Sequence, residues 1–155
     1  MSQKGANYSQ TIKIILFGCV ILLTIFIFLN SGRNYTASHD SSQQITSIIV
    51  SDTKMPAETV EILVRKSAHL LEFALLGAAV LCLTKEIFKT RGINNLAFAY
   101  FYVLAVAVVD EHIQSFSDRT SSTHDILLDF VGALIGFSVV WLVMKIYKVI
   151  KRQNK

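Results

Sequence analysis

The sequence predicts an all-α integral membrane protein: a bundle of four transmembrane helices, N-in/C-in, with a mostly polar extracytoplasmic segment between helices one and two. Three observations carry this. Of the 155 residues, 52% are hydrophobic and only 17% charged, with a mean hydropathy of +0.49. Soluble domains carry about 25% charged residues and break their apolar runs every few positions. Four apolar runs each approach the length of a bilayer crossing, and the basic residues sort by membrane side.

The first run, Ile14 to Leu29, follows Lys4 and Lys13 and ends at Asn30, Ser31 and Gly32. It is longer than the apolar region of a signal peptide, about 7–15 residues, so it is read as an anchor. A polar stretch follows, rich in Ser, Thr and Gln. Within it Ile45, Ile48 and Ile49 recur at helical spacing and suit a helix on the membrane surface. Pro56 suits a first helical turn and Glu58 a helix N-terminus, so a helix is expected to run through Glu61 and Arg65 into the second apolar run, Ala68 to Leu83. The third run spans Leu96 to Val109 and the fourth Ile126 to Ile146. These runs divide the chain into 1–29 (cytoplasmic N-terminus and first span), 30–64 (extracytoplasmic linker with an amphipathic helical portion), 65–146 (three-span core) and 147–155 (basic cytoplasmic tail).

Orientation follows from charge. Lys4, Lys13, Lys85, Lys89, Arg91, Lys145, Lys148, Lys151, Arg152 and Lys155 lie on one side, against Arg33, Lys54, Arg65, Lys66 and Arg119 on the other. The richer side is cytoplasmic by the positive-inside rule. The net charge of +4 is thus a topology signal, and the basic tail is expected at anionic lipid. Nucleic acid is not an expected partner. Cys19 and Cys82 fall inside apolar runs and are read as small buried hydrophobes.

That topology brings distant polar residues to one level. His69 and Glu72 lie roughly 4 and 9 Å below Lys66, and Asp129 roughly 6 Å below Asp125, at about 1.5 Å per residue. Arg65, His69 and Glu72 share one helical stripe, as do Asp125, Asp129, Gly132 and Gly136. Gly132 and Gly136 form a GxxxG pair suited to close helix packing. Asp110 and Gln114 are i,i+4 partners if the third helix continues past the surface. Ionisable residues inside a span are costly unless paired or hydrated. The expected partners of Glu72 and Asp129 are Lys66, Arg65, His69 and Arg119, with Asp110, Arg119 and Asp125 on the outer rim. The first span is expected chiefly to anchor.

Read together, Arg65-Lys66-Ser67-Ala68-His69-Leu70-Leu71-Glu72-Phe73, Asp110-Glu111-His112-Ile113-Gln114 with Phe116 and Arg119, and Asp125, Asp129 and Gly132 strongly resemble the VanZ-like family of small bacterial membrane proteins. The likeness covers roughly Arg65 to Gly136 and, weakly, the first span. Phe73 stands where the family often has Tyr, Asp118 where Gly commonly precedes the Arg, and Asp129 where Asn also occurs. The resemblance implies a cell-envelope role in the plasma membrane, linked to antibiotic resistance of the teicoplanin type, rather than a particular reaction.

Three readings of the polar end stay open. Arg65, Lys66, His69, Glu72, Asp110, Glu111, Gln114, Arg119, Asp125 and Asp129 suit a pocket for an envelope lipid, a lipid-linked wall precursor or a lipoglycopeptide. His69, Glu72, Asp110 or Glu111 suit general acid–base work on a membrane-embedded substrate, or a divalent cation. The same residues also suit a buried ion network that fixes packing. His112 and His124 have no ligand spacing, and no resident metal or cofactor is expected from motif spacing. Four helices without internal repeats speak against a transporter unless the chain forms a homo-oligomer.

Overall fold

The computed structural model describes residues 3–32, 50, 55–88, 95–116 and 123–153. Among them are four helices: α1 (Gln3–Ser31), α2 (Ala57–Ile87), α3 (Asn95–Ser115) and α4 (Thr123–Gln153). Each contains a segment long and apolar enough to cross a membrane. The linker isoleucines, His39, Asp118 and Arg119 lie outside the described residues.

The helices outrun the apolar runs because polar residues join their ends. The proline opens α2 from just outside it: Pro56 has φ −57°, and its carbonyl accepts the Thr59 and Val60 N–H groups at 3.0 and 3.2 Å. At the far end the Phe88 N–H returns to the Thr84 carbonyl at 2.9 Å. Helices α2 and α4 each span 31 residues, about 46 Å at 1.5 Å per residue, against a hydrocarbon core of about 30 Å. Both are therefore longer than the core is thick, with Lys66 and Asp125 towards one end of the bundle and Lys145 towards the other.

Packing centres on α2, whose most extensive contact is with α4. The seam is made by small residues. A Cβ built on Gly132 would lie 2.5 Å from the Leu70 carbonyl oxygen, and one on Gly136 would overlap the Ala74 backbone. Gly77 of α2 faces Ala133 in the same way. Phe73, Leu76, Val80 and Leu81 of α2 form the core with Val103 and Ala107 of α3, Ala133 and Phe137 of α4, and Val20 and Ile27 of α1. Thr24 of α1 and Tyr102 of α3 share a hydrogen bond at 3.0 Å.

Outward faces are apolar: Leu22 and Leu29 are each 68% exposed and Phe101 74%, surface that only lipid tolerates at this density. Cys19 shares that exposure and Cys82 is half-buried, which corrects the expectation that both are buried. Helix α1 buries only a narrow stripe, so most of its positions meet lipid. At the basic end Lys145 lies over the Trp141 ring, 5.0 Å from its centroid, the pairing of amphipathic side chains found at membrane interfaces.

Candidate functional site

At the end of the bundle where α2 and α4 begin and α1 and α3 finish, polar side chains from all four helices meet. Their hub is Asp110, which is fully buried. Ser31 Oγ donates to its Oδ1 at 2.5 Å, and Gln114 Nε2 donates to its Oδ2 at 2.7 Å. Both oxygens thus act as acceptors. His69 Nδ1 lies 3.9 Å from the same Oδ2. The i,i+4 pairing of Asp110 and Gln114 stands because α3 continues to Ser115, six residues past the apolar run.

Glu72 takes its hydrogen bond from Asn30 Nδ2 at 2.8 Å. Its other oxygen, Oε2, is buried with no hydrogen-bond partner among the described residues. Asp129 is 2% exposed and Glu111 is buried beside it. One donor atom each from His69, Asp110 and Asp129 lies within 4.8 Å of the other two. Above them Lys66 Nζ reaches Asp125 Oδ1 at 2.8 Å, with both side chains partly exposed.

The placement of the described residues differs from the expectation in three ways. Asp110 sits inside the bundle rather than on the rim, because Ser31 and Gln114 replace the water it would otherwise need. Lys66 pairs with Asp125 rather than with an intramembrane acid, since the two face each other across the start of the α2–α4 seam. The first helix does more than anchor: Asn30 and Ser31 complete the network because α1 remains helical beyond its apolar run. Arg65 is half-buried on the stripe below which His69 lies, while His112 is exposed and stacks edge-on with Phe116, ring centroids 4.9 Å apart.

Chemically, the site is rich in acceptors. Four carboxylates (Glu72, Asp110, Glu111 and Asp129) and one imidazole occupy an otherwise apolar bundle, with ammonium and guanidinium groups nearer its mouth. It suits a positively charged ligand within and an anionic group at the rim. A separate cleft of about 250 Å³, lined by Leu81, Lys85, Leu96, Tyr100, Phe137, Ser138 and Trp141, lies at the opposite end.

No match was found among curated proteins or among solved structures. A family model described as VanZ/LLP1 matches residues 16–145, from within α1 to the basic end of α4, and so takes in every helix that contributes to the polar cluster. The chain belongs to the VanZ/LLP1 family.

Proposed function

We propose that this is a cell-envelope protein of the bacterial plasma membrane, both termini cytoplasmic, whose extracytoplasmic polar end binds the head group of an amphiphile. The ligand class is a lipid-linked wall precursor or an acylated glycopeptide of the teicoplanin type, which ties the protein to resistance. One observation carries the reading: all four helices deliver polar side chains to a single end of a bundle whose outer faces are apolar. An acyl chain can lie against those faces while its head group reaches Lys66 and Arg65, and the sequence adds Arg119 as a third expected cation. Charge-assisted hydrogen bonds contribute about 1.5–3 kcal/mol each, roughly 10–100-fold in affinity.

The test uses nanodiscs holding the full chain and either a polyprenyl-diphosphate-linked precursor or teicoplanin. Replacing Lys66 and Arg119 together with Met is expected to weaken binding by about tenfold or more. The same exchange at Lys85, at the opposite end, is expected to leave it unchanged. Equal affinity for all three proteins sinks the reading.

A second reading, an enzyme acting on a lipid-linked substrate, draws on one observation, the placement of His69 beside Asp110. At 3.9 Å the two do not hydrogen-bond, and a small side-chain rotation would give the carboxylate–imidazole pairing that orients a ring for general acid–base work. Turnover of wall lipids by the purified protein, lost in His69→Gln while amphiphile binding persists, would favour it. If instead Glu72→Gln and Asp129→Asn lose folded yield and drug-susceptibility phenotype together, the network is structural.

A further inference from the structure

We propose that His69, Asp110 and Asp129 form a binding site for one divalent cation, with each ligand supplied by a different helix. Their donor atoms lie within 4.8 Å of one another, and His69 Nδ1 and Asp110 Oδ2 are 3.9 Å apart. Donors around an ion bound at about 2.1 Å stand roughly 3.4 Å apart, so small side-chain rotations close the triangle. One imidazole with two carboxylates is the donor set of Mn²⁺ or Zn²⁺. An imidazole is a poorer partner for Ca²⁺ or Mg²⁺, which favour oxygen ligands throughout.

Asp129 supplies the independent observation. It is 2% exposed, aimed at His69 and Asp110, and makes no hydrogen bond or ion pair among the described residues. Among the described residues, the charged groups that act on it are Asp110, Glu111, Asp125 and Glu72, all of them carboxylates. A carboxylate buried among others in an apolar bundle is unfavourable without a compensating positive charge. Lys66 is committed to Asp125. Nor can Asp129 withdraw, because Gly132 and Gly136 hold its helix tightly onto α2.

The hydrogen bonds around Asp110 fit the same role. Ser31 donates to its Oδ1 and Gln114 to its Oδ2, and such outer hydrogen bonds commonly orient metal ligands. The cation site does not rest on the amphiphile reading, because ion uptake is measured without any such ligand.

The experiment uses the full chain, purified on a histidine-free tag, stripped with chelator and held in zwitterionic nanodiscs. Bound Mn²⁺ and Zn²⁺ are counted by equilibrium dialysis and elemental analysis. Uptake of roughly one ion per chain is expected, with Asp129→Asn and His69→Gln binding about tenfold or more weakly and His112→Asn binding as the wild type does. A second measurement needs no ligand variant to fold. With His39, His112 and His124 replaced by Asn, His69 is the last imidazole, and pulsed electron paramagnetic resonance of bound Mn²⁺ is expected to show a nitrogen coupling. Three results would each overturn the proposal: no uptake of either ion beyond empty nanodiscs, wild-type affinity in both ligand variants, or Mn²⁺ bound without nitrogen coupling.

Discussion

At the scale of single residues, the polar end separates strong contacts from weak ones by burial. Ser31 and Asp110 are both fully buried, and removing the hydroxyl strips one carboxylate oxygen of a donor. Ser31→Ala should therefore cost about 1–3 kcal/mol in chemical unfolding from detergent. Lys66 and Asp125 keep 43% and 27% of their side-chain surface, so Lys66→Met should cost under about 1 kcal/mol. If amphiphile binding falls in Lys66→Met while unfolding barely shifts, the lysine serves ligand rather than fold. Much of this site was legible from spacing alone: Asp110 with Gln114, and the Glu72 and Asp129 stripes, follow from helical period. Ser31 was not. It stands 79 residues from Asp110 and closes an apolar run, where a polar residue reads as the end of a span rather than as a partner.

At the scale of elements, the α2–α4 seam is the feature on which the site depends. Its glycines were readable as a GxxxG stripe, whereas the residues receiving them, Leu70 and Ala74, carry no pattern that marks them as the partner surface. Any side chain at Gly136 meets the Ala74 backbone, which cannot yield without moving the helix. Gly136→Leu should cost about 1–3 kcal/mol or more by overpacking. It should also abolish ion uptake at His69, Asp110 and Asp129, since parting α2 from α4 separates two of the three ligands. Gly18 has nothing within 4 Å of an added Cβ, so Gly18→Ala should change neither property. Comparing the three proteins by thermal unfolding and dialysis checks both statements. In the core, Phe73 is fully buried, and Phe73→Ala should cost about 3–5 kcal/mol through the cavity left behind.

At the scale of the whole molecule, the number of spans was legible because nothing but lipid explains four such runs, and the charge pattern adds an orientation to be tested. A green fluorescent protein fused after Gln153 should fluoresce and an alkaline phosphatase fused there should be inactive, with the reverse for fusions within 117–122. The opposite pattern would place the polar cluster on the cytoplasmic side. Helix ends were less legible, because hydropathy stops at the first polar residue while backbone hydrogen bonding does not. That difference hid the reach of α1 and α3 and with it the buried position of Asp110.

The seam also has a mechanical consequence. With backbone against backbone at Gly132 and Gly136, α2 and α4 have no compressible layer between them and are expected to move as one plate. Helix α1 is the thin wall opposite, joined through a narrow stripe, the Thr24–Tyr102 hydrogen bond and the side chains of Asn30 and Ser31. Any widening of the polar end must come from α1 or α3 swinging away from that plate, and doing so breaks the contacts that fix Glu72 and Asp110.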